Sequence, residues 1–266
     1  MEKKPRKRTA KKAFQRRLTY ILLASILLIT VLYSIQLMGD DEYYETQIPA
    51  DCETFPPEYR DYCWYKTSTS LHYRLLNESL KYCMKIEKPN VKAHCIIDVA
   101  QFIVLKNKGD PKGIENAELV CGLLDGGTWQ SECFFKTAET IANNYQGYEH
   151  AYESCRLSED YEYDCIGHLE SIFFARDSAM AWMFCERVRE DYADISETPI
   201  NYCYNHYGLS LGSTGAGEAC SLIGECYKAG NYSEPCIIGV LNTYKDVEAA
   251  CNCPKIRVEF KEYCIK

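Results

Sequence analysis

Two Cys-x-x-His pairs, Cys165-Ile166-Gly167-His168 and Cys203-Tyr204-Asn205-His206, stand at corresponding places in the chain. Thiolate and imidazole are zinc ligands, and a tetrahedral set of them makes a structural zinc site. The corresponding place elsewhere holds Lys66, Asp98, Lys136 and Gly239, which reads as a surface position and not as a ligand. Helices packed about 8–10 Å apart also bring parallel equivalents to one ion only in unusual rotamers. No metal and no cofactor is therefore expected. Cys251-Asn252-Cys253 is a close cysteine pair, but reactive dithiols are more often C-x-x-C beside a strand–helix unit, and none is visible here. The signatures of α/β-hydrolases, zincins and P-loop proteins are absent. The densest carboxylate cluster, Glu159, Asp160, Glu162 and Asp164, reads as an acidic solvated connection. No catalytic residue is expected.

Recognition is the chemistry that remains. Tyrosine supplies contact area at low entropic cost. The densest aromatic patch is Tyr202-Cys203-Tyr204-Asn205-His206-Tyr207. Tyr204 and Tyr207 fall on an apolar stripe, which leaves Tyr202 and His206 for the surface. Together with His168 they are the candidate binding residues.

The elements that must carry these side chains are organised by the cysteines. A first series is Cys52, Cys83, Cys121, Cys155, Cys185, Cys220 and Cys251, with steps of 31, 38, 34, 30, 35 and 31 residues. A second is Cys63, Cys95, Cys133, Cys165, Cys203, Cys236 and Cys264, each 10–18 residues after a first-series member. A period in the low thirties is a mark of repeat architecture. One helical turn before the first-series cysteines stand Ala117, Ala151, Ala181 and Ala216, with Ser79 and Val247 in two other units, as close helix packing requires. Eight residues before them, Gly113, Gly147, Asp177 and Gly212 mark turns. After the second-series cysteines come Trp64, Ile96, Phe134, Ile166, Tyr204 and Ile237; then Thr67, Val99, Thr137, Leu169, Tyr207 and Val240; then Leu71, Ile103, Ile141, Phe173, Leu211 and Tyr244. Spacing of i, i+3 and i+7 puts these on one helix face.

Each unit thus reads as cysteine, helix, turn, helix, cysteine. In period, hairpin layout and the Ala-x-x-x-Cys pattern, residues 52–266 resemble the tetratricopeptide-like helical repeats, especially disulfide-stapled variants in secreted proteins. The Trp, Leu-Gly and Tyr landmarks of the tetratricopeptide consensus and its closing Pro do not occur in order. The resemblance implies an α-solenoid of about six to seven hairpins that offers an extended surface to protein or peptide ligands.

The expected pairing joins each first-series cysteine to the second-series cysteine after it: Cys52–Cys63, Cys83–Cys95, Cys121–Cys133, Cys155–Cys165, Cys185–Cys203, Cys220–Cys236 and Cys251–Cys264, with Cys226–Cys253 left over. The rival pairing bonds the two ends of each hairpin, such as Cys63–Cys83 and Cys165–Cys185, and spacing does not choose between them.

Charge divides the chain. Residues 1–17 hold nine basic side chains and one Glu, a net +8; residues 18–38 hold no charge; with −8 overall, the remainder is −16. A 21-residue uncharged run is long enough to span a bilayer as a helix, and it lacks a small-x-small cleavage pattern after it. The expected organisation is a basic cytoplasmic tail over 1–17, a transmembrane signal anchor over 18–38, a linker over 39–51 and an extracytoplasmic repeat domain over 52–266. A long cleavable signal is the alternative reading of 18–38. All 16 cysteines follow that run, as an oxidising compartment requires. The sequons at Asn77 and Asn231 are compatible with it. Nucleic acid is not an expected partner, since the tail has only Phe14 to stack on bases and abuts the apolar run. The expected function is an all-α, membrane-anchored binding or scaffolding protein for a protein or peptide partner, with an envelope-acting enzyme or a passive spacer as alternatives.

Overall fold

Short polar side chains start the helices. Asp110 accepts from the amides of Lys112 and Gly113, both at 3.0 Å, ahead of Pro111. Asp177 accepts from the Ala179 amide at 2.8 Å, and Ser196 from that of Thr198. Each satisfies a donor that the first turn leaves without an intrahelical partner. Asp61 acts from a distance and one step earlier: buried in another helix, it accepts from the amides of Glu87 and Lys88, the two residues ahead of Pro89, at 2.9 and 3.0 Å.

The chain is seen in a computed structural model that describes residues 51–71, 75–145, 147–215, 218–254, 256, 260 and 263. It falls into two compact units, Met1–Thr54 and Phe55–Lys266. In the first, the described residues form a 3₁₀ turn, Cys52–Thr54. In the second, the described residues form twelve α-helices in six pairs: α1 (Pro57–Leu71) and α2 (Leu76–Met84), α3 (Pro89–Lys106) and α4 (Pro111–Cys121), α5 (Gly127–Asn144) and α6 (Glu149–Arg156), α7 (Glu162–Arg176) and α8 (Ser178–Tyr192), α9 (Glu197–Thr214) and α10 (Ala219–Cys226), α11 (Ser233–Thr243) and α12 (Val247–Cys251). Each odd-numbered helix, which carries a second-series cysteine, packs on the next odd-numbered helix, so these six form a continuous layer. The even-numbered helices pack against that layer.

The stripe read from the sequence is the core of this unit. Ile96, Ile166, Tyr204 and Ile237 are buried, as are Thr67, Val99, Thr137, Leu169, Val240, Ile103, Ile141 and Phe173. Each large apolar side chain so buried is worth roughly 1.5–3 kcal/mol. Ala117, Ala151 and Ala181 are buried one turn before their cysteines, and Ser79 hydrogen-bonds Ser68 in the equivalent contact at 2.8 Å. Ala216 lies outside the described residues. Two aromatic clusters fill the middle: Tyr148, Tyr152, Phe173 and Phe184, then Phe174, Trp182, Tyr204, Tyr207 and Tyr232. Neighbouring rings meet mostly edge to face, the arrangement their quadrupoles favour.

Three expectations are corrected. The fold is all-α and consistent with a helical solenoid, but the transmembrane helix expected ahead of it is not part of the observed fold. Residues 18–38 lie outside the described residues, and among those no helix is long and apolar enough to cross a membrane. The longest, α3, α5 and α9, have 18 residues each and carry polar or charged side chains throughout. The second correction concerns register in the fifth pair. Gly212 is no turn: it is buried inside α9 against Thr243 and Val240 of α11. The third is the pairing that followed from that register. Cys220 opens α10 and Cys226 ends it, so it is Cys226 that bonds Cys236 across the connection, and Cys220 bonds Cys253 beyond α12. The expected Cys220–Cys236 and Cys226–Cys253 bonds do not form.

Candidate binding face

The remaining connections are stapled by the expected pairs and not by the rival ones: Cys83–Cys95, Cys121–Cys133, Cys155–Cys165 and Cys185–Cys203. Cys52, Cys63 and Cys251 are also disulfide-bonded, while Cys264 lies outside the described residues. All fifteen described cysteines are thus oxidised, which places the chain in an oxidising environment. It also removes the thiolates of Cys165 and Cys203 from any zinc site. Cys253 is bonded to Cys220 and not to Cys251, so Cys251-Asn252-Cys253 is not a dithiol pair.

The staples fix a repeated register along the odd-numbered layer. The residue two after a second-series cysteine meets the residue three after the next one. Tyr65 donates its hydroxyl to Asp98 at 2.5 Å. The Phe135 and His168 rings lie 5.5 Å apart. Gly167 sits beneath His206 and Tyr202, where a Cβ would come within 2.7 Å of both rings. The Asn205 carbonyl abuts Gly239. Glycine at 167 and 239 therefore answers a close approach, and the histidines of the two Cys-x-x-His pairs are successive rungs of one ladder.

Around these rungs the polar groups pair across helices. His168 Nε2 lies 3.1 Å from Glu139 Oε1, and Lys136 donates to Glu139 Oε2 at 2.8 Å. Burial pushes the Glu139 carboxyl up, but the bonds from Lys136 and His168 outweigh it and hold the group below its ordinary value. Tyr161 and His168 flank the Phe135 ring. One helix on, Tyr202 donates to Asp164 Oδ1 at 3.0 Å and packs on His206 with ring centroids 4.7 Å apart. Burial, aided by the Asp164 carboxylate, raises the Tyr202 pKa. Burial lowers that of His206; Asp164 opposes this and the nearby His168 adds to it. On α3 and α5 the His94 and Trp129 rings pack with centroids 5.1 Å apart.

The structure therefore brings Tyr202, His206 and His168 together on adjacent helices α7 and α9. Sequence reading missed Glu139, Asp164, Phe135 and Tyr161. The signal for Phe135 was its place two residues after Cys133, and Asp164 lay in a cluster read only as solvated. Asn77 and Asn231 are exposed, but Ser79 and Ser233 of their sequons are buried.

The class these features define is an all-α, disulfide-stapled array of helical hairpins. Comparison with protein-family models, with curated proteins and with solved structures returns no match.

Proposed function

We propose that this protein is a non-enzymatic binding protein of the helical-repeat type. Phe135 of α5, Tyr161 just ahead of α7, His168 of α7, and Tyr202 and His206 of α9 form its face for a protein or peptide partner. The observation that carries the reading is the ladder itself. Rings and hydrogen-bonding groups from three successive helices are held at the surface by cross-helix bonds, Tyr202 to Asp164 and His168 to Glu139. A partner meets aromatic area whose rotamers are already fixed, so little side-chain entropy is lost on binding. The layout supports the analogy with tetratricopeptide-like arrays, which present such faces repeat by repeat.

The test is selection of peptides from a random-sequence display library on the full, disulfide-intact chain. Selected peptides should slow amide exchange in the N-terminal halves of α5, α7 and α9. They should bind the H168A/Y202A variant at least about ten-fold more weakly, as removal of central aromatic contacts costs. Peptides that bind that variant equally well would overturn the assignment.

A further inference from the structure

The turns that follow α4, α6 and α8 share one geometry and one composition. Leu123, Leu157 and Ile195, one to three residues beyond the ends of their helices, each donate their amide to the carbonyl three residues back, Val120, Ser154 and Tyr192, at 3.1, 3.2 and 2.9 Å. Each of these aliphatic side chains is turned to solvent, at 46, 45 and 72 % exposure. Single exposed aliphatics are ordinary; their recurrence at the same turn in three consecutive repeats is not. Beside each stands an exposed carboxylate: Asp125, then Glu159 and Asp160, then Asp194 and Glu197.

The charge is one-sided. Across residues 122–139, 157–168 and 193–206, which run from these turns into the aromatic face, there are nine carboxylates against one lysine, a net charge of −8. That lysine, Lys136, is engaged by Glu139, and Arg156, just ahead of Leu157, is engaged by Asp191. Some of the carboxylates have structural work: Glu162 accepts from Tyr192, Asp164 from Tyr202, and Glu197 lies in the first turn of α9, where it offsets the helix dipole. Asp125, Glu132, Glu159, Asp160 and Asp194 are the surplus. The Phe135 ring next to them already carries the Lys136 ammonium, 5.2 Å from its centroid, and the Tyr161 ring beside it offers a further π face of the kind on which cations rest.

We propose that this edge docks a cationic amphipathic segment of a partner protein, with apolar side chains on Leu123, Leu157 and Ile195 and Lys or Arg side chains on the carboxylates and rings. A second copy of this chain meeting it edge to edge would bring the same −8 charge against it, and an anionic lipid surface would be repelled likewise. The inference rests on the binding reading above and adds the chemistry of the partner.

The experiment uses the full oxidised chain and three synthetic peptides of equal length: an amphipathic Leu/Lys helix-former, its Leu/Glu counterpart, and a Ser/Lys version without apolar residues. The Leu/Lys peptide should bind, measured by fluorescence anisotropy, and the other two should bind at least about ten-fold more weakly. The D125N/E159Q/D160N/D194N variant and the L123S/L157S/I195S variant should each lose about ten-fold for the Leu/Lys peptide, and salt should weaken binding to the native chain. No binding of the Leu/Lys peptide, or binding undiminished in the carboxylate variant, overturns the proposal. If peptides from the display selection still depend on His168 and Tyr202 in that event, the aromatic face stands and only the cationic edge falls. If they do not, both fall.

Discussion

Ser210 on α9 donates its hydroxyl to the Glu170 carboxyl on α7, Oγ to Oε2 at 3.1 Å, inside the packed odd-numbered layer. Glu170 is buried and stands five residues after Cys165, where the other second-series cysteines are followed by Ser68, Ala100, Ala138, Gly208 and Leu241. Its other oxygen, Oε1, has no hydrogen-bond partner among the described residues. Burial is the dominant influence and lifts its pKa to about 8, against smaller opposing bonds from Ser210 and Ser171.

Glu170 makes folding sensitive to pH. In the unfolded chain it loses its proton near its ordinary value of 4.5, and in the folded chain near 8. The stability it contributes is complete below pH 4.5, declines as the pH rises from there, and is gone once the pH has passed 8. Urea unfolding with disulfides intact should show the native chain losing stability between pH 5 and 9 relative to E170Q. The difference should be of the order of 4 kcal/mol, at about 1.4 kcal/mol per pKa unit. Parallel profiles for the two proteins would show that Glu170 is charged in the native state throughout.

The C-terminal staples should differ in value. Cys220–Cys253 closes 33 residues and Cys226–Cys236 closes 10. In the chain-entropy picture the longer loop restrains the unfolded chain more, so C220S/C253S should cost about 1 kcal/mol more than C226S/C236S. Chemical denaturation of the two double variants measures this. Non-reducing peptide mapping of the native chain should recover Cys220 with Cys253, and recovery of Cys220 with Cys236 would refute the observed pairing.

The helical layout was readable because it is written in periodicity. Ile96, Val99 and Ile103 recur at helical spacing and are buried, and Cys83, Cys121 and Cys155 have the partners of the preferred pairing, which spacing alone did not choose over its rival. The fifth pair misled because Ala216-x-x-x-Cys220 imitates the pattern while the true end of that helix is Cys226, six residues on. Spacing counts residues but does not say where a helix stops. The candidate face was half legible. His168 and His206 announced themselves by type and position, whereas Glu139 and Phe135 matter through neighbours 29 and 33 residues away. Glu170 was invisible, because a single Glu in an amphipathic helix reads as solvent-facing until the helix that covers it is known.

Gly208 is the closest approach between α9 and α11. A Cβ there would overlap the Cys236 carbonyl, and one on Gly239 would overlap that of Asn205. Both obstacles are backbone, so neither can swing aside. Gly208→Ala should therefore destabilise by about 1–3 kcal/mol as the helices are forced apart, despite alanine's better helix propensity. Thermal unfolding monitored by circular dichroism checks the sign, and a stabilised variant would mean that α9 and α11 sit farther apart than described.

His206 lies half-buried between Tyr202, His168 and Gly167, with the Asp164 carboxylate as the nearby anion. Burial lowers its pKa below the usual 6.5, and Asp164 works against that. Removing the anion should expose the full effect of burial, so D164N should move the imidazole titration, followed by NMR, further down. The sign for stability follows from the same shift. The unfolded chain takes up the His206 proton first as pH falls, so the native chain loses stability as the pH falls from about 6.5 through the lowered folded value. H206Q should remove that part of the dependence. An upward movement of the titration in D164N would place His206 in water rather than under Tyr202, and the face it helps to form would have to be redrawn.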